Sequence, residues 1–248
     1  HGYREVVITG VHLGAYGTDL DPPRDLPWLL ETIAERNLPL RVRISSIDPP
    51  EVTARLLDVI AGNPVFCRHL HIPLQAGDDD VLQRMGRKYS SAEAAERLAE
   101  VRSRIGRVCI GTDIITGFPA ESEEAFGRTL AFVENVGVNY LHVFPYSRRR
   151  ATAAAKRWKE LPRSLVHQRA ALMRGLGKRL RRNFEKGFIG QRATVLYESV
   201  RDRSTGLLKG YSDNYLPVLG HGDDSLMNRL VEVEIAGHMD GRLESRQL

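Results

Sequence analysis

The sequence predicts an α/β protein in which repeated strand–helix units form a parallel sheet, followed by a small all-β barrel. Five apolar, β-branched runs begin near residues 5, 40, 68, 107 and 139, and helical patterns lie between them. Repeats of this kind form parallel sheets with right-handed crossovers. From residue 187 the pattern changes to short strands separated by turn residues. Five units are fewer than an eight-fold barrel needs, so a partial barrel and a doubly wound sheet both remain open.

The stretch 107–126 shows the strand–turn–helix pattern most clearly. Ile114 and Ile115 belong to a buried strand that Gly117 and Pro119 end, and Ser122 can cap the helix that follows. Ligands of α/β sheets bind at the carboxyl ends of the strands, and glycine lets a ligand approach the backbone closely. The turn is therefore a candidate ligand site, although a turn that serves only the fold is the simpler interpretation of this stretch alone.

The other predicted strands also end in glycine or polar residues. The first is followed by residues 9–17, which include three glycines, and the second by Ser45 and Ser46. Residues 73–77 follow the third strand and residues 145–147 end the fifth. The glycine spacing matches neither a P-loop nor a dinucleotide fingerprint. Because these ends meet at one edge of the sheet, the sequence predicts a small-ligand pocket there.

Positive charge is concentrated in one segment. The net charge of the chain is +5, but residues 148–186 carry 14 Lys and Arg against 2 Asp and Glu, a net of +12. A dense basic stripe is typical of proteins that contact a phosphate backbone, and a solvated helix face is the alternative. An apolar stripe of Leu165, Leu172, Leu176, Leu180 and Phe184 predicts that one face of this helix packs on the core. The candidate RNA-binding residues are Arg148, Arg149, Arg150, Arg174, Lys178, Arg181 and Arg182.

Residues 187–248 predict a small β-barrel. Val231, Val233 and Ile235 alternate with glutamates, which is the period of a half-buried strand. Small barrels of the oligonucleotide-binding kind often bind RNA, and Tyr211 and Tyr215 can stack on bases. The net charge of −2 in this segment argues mildly against heavy phosphate contact by the barrel itself.

Composition excludes several classes of protein. Hydrophobic residues make up 42% and charged residues 27%, as in ordinary globular proteins. The apolar runs are too short to span a bilayer, and the sequence begins with no signal-peptide pattern. Two cysteines, Cys67 and Cys109, exclude a disulfide scaffold and indicate a reducing compartment. We therefore expect a cytoplasmic protein with no membrane partner.

The sequence gives little basis for metal or nucleophilic catalysis. His69 and His71 alternate on a strand and share a face, which makes a metal-dependent hydrolase one hypothesis. Other histidines, such as His12 and His142, show no obvious carboxylate partner, so core or pocket-wall histidines are the preferred interpretation. No serine nucleophile elbow is present. We assign no metal ligands within this chain and leave the catalytic residues unknown.

These stretches together resemble the radical S-adenosylmethionine methylthiotransferases over essentially the whole chain. Residues 187–248 resemble the TRAM domain of these enzymes, and residues 210–215 look most like the branch that adds a methylthio group to threonylcarbamoyladenosine beside the tRNA anticodon. The resemblance is carried by residues 9–17, 43–47, 69–75, 113–119 and 144–147.

The resemblance implies a partial (β/α)6 barrel lacking its first strand in residues 1–147, a basic linker and helix in 148–186, and a TRAM-like, OB-like barrel in 187–248. It implies S-adenosylmethionine and, in the full-length protein, two 4Fe-4S clusters. The implied partners are the tRNA anticodon stem-loop and an electron donor for the cluster. Position by position, the implied cofactor-binding residues are Thr9, Gly10, Ser45, Ser46, Gln75, Gly117, Phe118, Pro145 and Tyr146.

The chain also departs from this family. The three-cysteine motif of the family is absent, and Cys67 and Cys109 have the wrong spacing to replace it. We therefore expect a fragment that lacks the N-terminal domain and the cluster-binding cysteines and is inactive alone. The segment 148–153 replaces a stretch that usually carries Gly and Pro. Alternative functions are methylthiolation of isopentenyladenosine in tRNA or of a ribosomal protein, and a non-catalytic RNA-binding module.

Overall fold

The computed structural model describes residues 2–149, 151–239 and 241–248. Its first part contains five parallel strands joined by helices, as the apolar runs predict. β1 pairs with β2, β3 pairs with β4, and β4 pairs with β5, while single bridges from Val42 to Phe66 and from Ser46 to His71 connect the two sheets. The strands are β1 (Glu5–Ile8), β2 (Arg41–Ile44), β3 (His69–His71), β4 (Cys109–Thr116) and β5 (Tyr140–Pro145).

The strands follow one another in chain order, which is the arrangement of a partial barrel and not of a doubly wound sheet. The α/β fold class predicted from the repeats is confirmed. The helices are α1 (Leu26–Glu35), α2 (Ala54–Gly62), α3 (Asp79–Arg84), α4 (Ser91–Arg104), α5 (Glu123–Asn135), α6 (Ala153–Arg157) and α7 (Arg163–Lys186).

The two faces of the strands differ in polarity. Outward-facing residues such as Val42, Leu70 and Ile110 are buried against helices in the main apolar core. The inward-facing set alternates with them and is largely polar. Because a sheet face that is polar cannot pack on helices, this alternation decides which side of the sheet becomes the barrel interior. The inward-facing residues are Glu5, Arg41, Arg43, His69, His71, Cys109, Gly111, Asp113, Tyr140, His142 and Phe144.

The second part is a closed five-stranded barrel with its own apolar core, including Val195, Leu208 and Ile235. The alternation in residues 231–235 is confirmed, because Val233 and Ile235 are fully buried. The strands are β6 (Arg192–Tyr197), β7 (Leu208–Ser212), β8 (Pro217–Gly220), β9 (Leu230–Met239) and β10 (Arg242–Gln247).

Buried arginines attach the small barrel to the amino ends of the core strands. The Arg43 guanidinium donates to the main-chain oxygens of Asp213 (3.0 Å) and Ser212 (3.2 Å), and Arg41 donates to the oxygen of Tyr211 (2.8 Å). The Glu5 carboxylate forms ion pairs with both arginines. Burial raises the pKa of the Glu5 carboxyl, but Arg43 and Arg41 outweigh it and hold that pKa below its usual value.

The packing face of α7 differs from the predicted stripe. Leu176 is buried as expected, but the Leu172 side chain is 53% exposed. The buried face instead includes two charged residues, Arg169 and Glu185. Arg169 forms an ion pair with Glu121, and Glu185 forms one with Arg181. A hydrophobic pattern cannot identify this face, because two of its buried residues are charged.

Candidate functional site

The carboxyl ends of the core strands open onto a cavity of about 680 Å³, called here the carboxyl-end cavity. A second cavity, of about 390 Å³, lies on the inner wall of the partial barrel and is called the inner-wall cavity. Asp113 and Phe144 line both. Ligands of α/β sheets bind at this end of the strands, so the two cavities are the candidate site.

Six of the nine predicted cofactor-binding residues line these cavities. Ser45 and Ser46, which follow β2, line the inner-wall cavity. Gly117 is buried behind the turn after β4, and Thr9 and Gly10 are exposed after β1; these three line neither cavity. The residues in the carboxyl-end cavity are Gln75, Phe118, Pro145 and Tyr146.

The turn after β4 is fixed by α7. Gly117 has a φ of +74°, and a Cβ there would lie 2.6 Å from Val166 of α7, so glycine is required on both counts. The Gly117 N–H donates to the Glu121 carboxylate (2.9 Å), which also accepts from the buried Arg169 guanidinium (2.7 Å). The sequence places Glu121 beside the positive end of the next helix, but in the structure its side chain turns back and holds the turn that begins at Gly117.

Aromatic contacts complete this wall of the carboxyl-end cavity. The Phe118 ring packs edge-to-face on Tyr146 with 5.5 Å between ring centroids, and it contacts Trp158 at 5.9 Å. Edge-to-face packing is a favourable geometry for aromatic pairs. The three rings come from β4, β5 and α6 and their following turns, so the cavity wall depends on the fold of the whole α/β part.

Three buried hydroxyl oxygens at the strand ends have no hydrogen-bond partner among the described residues. They are the Ser45 Oγ, the Thr116 Oγ1 and the Tyr146 hydroxyl, which stand at the ends of β2, β4 and β5. Thr116 lines neither cavity. Buried polar atoms are normally paired, so the unpaired oxygens of Ser45 and Tyr146, whose residues line the two cavities, indicate a place for a polar ligand. The residues present therefore fit a polar molecule such as S-adenosylmethionine.

The two cysteines do not fit an iron–sulfur cluster. Cys67 and Cys109 are both buried, and burial raises the pKa of each thiol to about 12. Cluster ligands are thiolates, and a 4Fe-4S cluster takes four ligand positions. Within the described part of the chain we find no ligand set for such a cluster.

Histidines and one aspartate form a polar network on the inner wall. The His71 Nε2 lies 2.9 Å from the Asp113 Oδ1, and the His142 Nδ1 lies 3.3 Å from the same oxygen. Burial raises the pKa of the Asp113 carboxyl, but hydrogen bonds and charge from His71 and His142 outweigh it and hold the pKa below its usual value. The expectation that His142 has no carboxylate partner is therefore wrong. The same expectation for His12 is also wrong, because the His12 Nε2 bonds to the Glu51 carboxylate.

The predicted pair His69 and His71 does share a face, but Tyr140 lies between the two rings. The Tyr140 hydroxyl is 2.8 Å from the His69 Nε2 and 3.2 Å from the His71 Nδ1. Gly111 makes this possible, because a Cβ there would lie 2.0 Å from the Tyr140 ring. Burial and the nearby Arg43 hold the pKa of His69 well below its usual value, so His69 is neutral.

Sequence reasoning missed Asp113, Tyr140 and His142 as members of one cluster. The signal was present: Asp113 lies opposite His142 in the β4–β5 register, and Gly111 lies opposite both His71 and Tyr140. A prediction of strand register, in addition to strand location, identifies these three residues as neighbours of His71.

The basic residues predicted to bind RNA lie in several different environments. Arg174, Lys178 and Arg182 are exposed on α7 at a spacing of four residues, which places them on one face. Arg149 lines the carboxyl-end cavity, and Arg148 donates to the main-chain oxygen of Ala155 (2.8 Å). Arg150 lies outside the described residues.

Arg181 and Tyr215 are used in packing between the two parts of the chain. The Arg181 guanidinium pairs with Glu185 (2.7 Å) and donates to the Tyr215 main-chain oxygen (2.8 Å). The Tyr215 ring lies 4.7 Å from the His69 ring inside the partial barrel. The Tyr211 ring stacks on Tyr215 at 5.0 Å and is 37% exposed, so Tyr211 has the more accessible face.

No helix in the part of the chain that the structure describes is long and apolar enough to cross a membrane.

A partial parallel β/α barrel with a ligand-sized cavity at its carboxyl end, lined by apolar and polar residues, defines a class of small-molecule-binding enzyme folds. The Radical SAM superfamily profile matches residues 1–133, and the chain belongs to this superfamily.

Curated relatives are named as tRNA methylthiotransferases. The chain is 31% identical over 236 residues to the threonylcarbamoyladenosine tRNA methylthiotransferase MtaB of Bacillus subtilis, covering 94% of this chain and 52% of that protein. It is 38% identical over 215 residues to MtaB of Thermotoga maritima, covering 87% and 49%. It is 33% identical to the tRNA-2-methylthio-N(6)-dimethylallyladenosine synthase of Oceanobacillus iheyensis, covering 94% and 45%. The chain spans about half the length of these relatives.

A solved structure shows the same fold. Coproporphyrinogen III oxidase (HemN) of Escherichia coli, a radical SAM enzyme, aligns with a TM-score of 0.51 and 21% identity over 62% of this chain and 36% of that protein. This likeness supports the radical SAM fold of the α/β part and carries no information about the substrate.

Proposed function

We propose that this chain is the part of a radical S-adenosylmethionine methylthiotransferase that binds S-adenosylmethionine and tRNA, and that the whole protein methylthiolates threonylcarbamoyladenosine next to the anticodon. The observation that carries the proposal is the 31–38% identity to MtaB proteins over 87–94% of the chain. The unpaired hydroxyls at the cavities support it independently. The name MtaB belongs to those relatives, and the substrate is our inference.

S-adenosylmethionine, when bound, supplies the family's one-electron chemistry. The chain's own residues bind and orient it: Ser45 and Ser46 offer hydroxyls, Gln75 offers an amide, and Phe118 and Tyr146 offer an aromatic wall. Amide and hydroxyl groups suit ribose and carboxylate oxygens, and aromatic rings suit an adenine. Gly117, buried behind Phe118, keeps the backbone of that turn in place. Thr9 and Gly10 remain candidates on the resemblance alone.

The proposal assigns no ligand of the two 4Fe-4S clusters to this chain. Because the two cysteines here are buried thiols, the proposal requires that ligands for both 4Fe-4S clusters come from sequence beyond these 248 residues. The greater length of the relatives is consistent with this. An electron donor that reduces the cluster is a further partner, and the cytoplasm, where thiols stay reduced, is the proposed location.

The division into a radical SAM core of residues 1–147, a basic linker and helix of residues 148–186 and a TRAM-like barrel of residues 187–248 is part of the same proposal. The closed barrel from β6 to β10 supports the last of these. The proposed RNA surface comprises the exposed face of α7, with Arg174, Lys178 and Arg182, and the accessible Tyr211 ring. Cations suit phosphates and an exposed ring suits a splayed base.

We expect the 248-residue chain to bind an anticodon stem-loop RNA with an affinity that falls steeply as salt is raised. Changing Arg174, Lys178 and Arg182 together to Gln removes up to three cations that neutralise phosphates. The slope of log K against log salt is expected to fall by roughly 1 for each phosphate that is no longer neutralised. The measurement is fluorescence anisotropy over a series of salt concentrations.

The matched control changes three arginines that the structure pairs with carboxylates: Arg55, Arg97 and Arg104 to Gln. The net charge changes by the same amount as in the α7 variant, so the control separates a local surface from overall charge. An equal decrease in affinity in both variants would show that α7 is not the RNA surface.

Nucleoside mass spectrometry of tRNA from cells that lack the full-length gene tests the reaction itself. We expect loss of the methylthio group from threonylcarbamoyladenosine and its return when the full-length gene is restored. Loss from the isopentenyladenosine-type nucleoside instead would favour the second candidate function, which relatives such as the Oceanobacillus iheyensis synthase support. An unchanged tRNA profile would refute both.

A further inference from the structure

Three side chains on adjacent strands converge on one point of the inner wall. His71 comes from β3, Asp113 from β4 and His142 from β5, and their nearest nitrogen and oxygen atoms all lie within 4.8 Å of one another. The three strands are hydrogen-bonded neighbours in parallel register. The cluster is therefore held by the sheet itself and not by flexible loops.

Both imidazole rings approach the same carboxylate oxygen. The His71 Nε2 and the His142 Nδ1 lie 2.9 Å and 3.3 Å from the Asp113 Oδ1. Ligand atoms bound to one zinc-type ion at about 2.0–2.2 Å and near-tetrahedral angles are separated by about 3.4 Å. The observed separations are close to this value, so small side-chain movements accommodate an ion.

Tyr140 orients the His71 ring from its other side. The Tyr140 hydroxyl lies 3.2 Å from the His71 Nδ1. In metal sites the second nitrogen of a ligating histidine almost always has such a partner, which fixes the tautomer and directs the remaining lone pair at the ion. A hydroxyl that accepts from the Nδ1–H makes the His71 Nε2 the nitrogen that can ligate, and a bound ion would replace its hydrogen bond to Asp113.

The local charges do not prevent cation binding. Arg43, which also lines the inner-wall cavity, is paired with Glu5 (2.9 Å). Arg181, which lies over the Tyr140 ring, is paired with Glu185 (2.7 Å). Arg181 is thus neutralised by Glu185, Arg43 shares the Glu5 carboxylate with Arg41, and Asp113 provides the negative charge at the cluster.

We propose that His71, Asp113 and His142 bind a divalent transition-metal ion of the zinc type on the inner wall of the partial barrel. Two imidazoles and a carboxylate are borderline ligands that suit zinc, cobalt or ferrous ions. The fourth position faces the inner-wall cavity, which leaves room for water or a substrate group. This site differs from the pair of His69 and His71 considered from sequence, because His69 bonds to Tyr140 and takes no part.

The test uses the untagged 248-residue chain, freed of metal with a chelator and titrated with Co²⁺ and with Zn²⁺. We expect one ion per chain by calorimetry, and visible d–d absorption of Co²⁺ that Zn²⁺ abolishes. His142→Ala is expected to weaken binding by at least 10-fold, since changes to the surroundings of a metal ligand alone cost 10–100-fold. His142 is 55% exposed at its side chain, so this variant keeps the fold.

Asp113→Asn is the second variant and preserves side-chain shape while removing the charge. His221→Ala is the matched control, because His221 also pairs with a carboxylate, Glu244 at 3.0 Å, far along the chain on the small barrel. Equal binding by wild type, His142→Ala and Asp113→Asn, or less than stoichiometric metal in the wild type, would leave a metal-free hydrogen-bond network and overturn the proposal. The readout is metal alone, so the result is independent of tRNA modification.

Discussion

Replacing Arg169 with methionine is expected to lower the free energy of unfolding by about 3–5 kcal/mol. The side chains of Arg169 and Glu121 are 3% and 1% exposed, and Arg169 donates to both the carboxylate and the main-chain oxygen of Glu121. Methionine leaves the Glu121 carboxylate buried without a counter-charge, and this unpaired charge is the source of the loss. Urea unfolding followed by circular dichroism measures the change, because urea does not screen charges.

The control lies on the same helix. Arg179 pairs with Glu134, but both side chains are more than half exposed, so Arg179→Met is expected to change stability by only about 0–1 kcal/mol. Adding Glu121→Gln to Arg169→Met removes the unpaired buried charge and is expected to restore part of the lost free energy of unfolding. A small effect of Arg169→Met alone, equal to that of Arg179→Met, would contradict this account of the turn after β4.

Gly210→Ala is expected to destabilise the small barrel by about 3 kcal/mol, at the upper end for overpacking. A Cβ at Gly210 would lie 2.1 Å from the Leu196 main-chain oxygen and 2.9 Å from the Tyr197 Cα. These are main-chain atoms of β6, and Tyr197 is paired directly with Gly210, so no side-chain rotation relieves the clash. Thermal unfolding and amide hydrogen exchange of β6 and β7 measure the effect.

Gly237→Ala is the matched control within the same barrel. Gly237 lies in β9, and no heavy atom is within 4 Å of a Cβ placed there. We expect a change of at most about 1 kcal/mol, in the stabilising direction, because alanine reduces the entropy of the unfolded chain. Equal destabilisation by the two substitutions would mean that the β6–β7 approach at Gly210 is looser than the structure has it.

Local sequence patterns were sufficient to predict the five parallel strands and a ligand cavity at their carboxyl ends, but they left the order of the strands in the sheet open. The strand at Ile114 and Ile115 and the turn at Gly117 form as predicted. Both were predicted from residues that are close together in sequence. Phe118 and Tyr146 were assigned from the family resemblance, and both line the carboxyl-end cavity just beyond strand ends. The ends of strands can be predicted from sequence because hydrophobic periodicity and turn residues are short-range signals.

Residues whose partners are distant in sequence could not be assigned this way. Arg181 belongs to a basic run and looks like a phosphate contact, yet Glu185 and the Tyr215 oxygen bind it inside the molecule. Tyr215 looks like a base-stacking residue, yet its ring packs on His69, about 146 positions away in sequence. The identity of a residue determines which chemistry its side chain offers, but tertiary contacts determine where in the molecule that chemistry is used.

The attachment of the small barrel affects which substitutions the end of β7 and the turn after it tolerate. Arg41, Arg43 and Arg181 bind this segment through main-chain oxygens, at Tyr211, Ser212, Asp213 and Tyr215. Every amino acid presents the same oxygen, so these hydrogen bonds place no demand on the side chains at positions 211 and 213. Substitutions at positions 211 and 213 are thus expected to leave the hydrogen bonds that join the two parts of the chain in place.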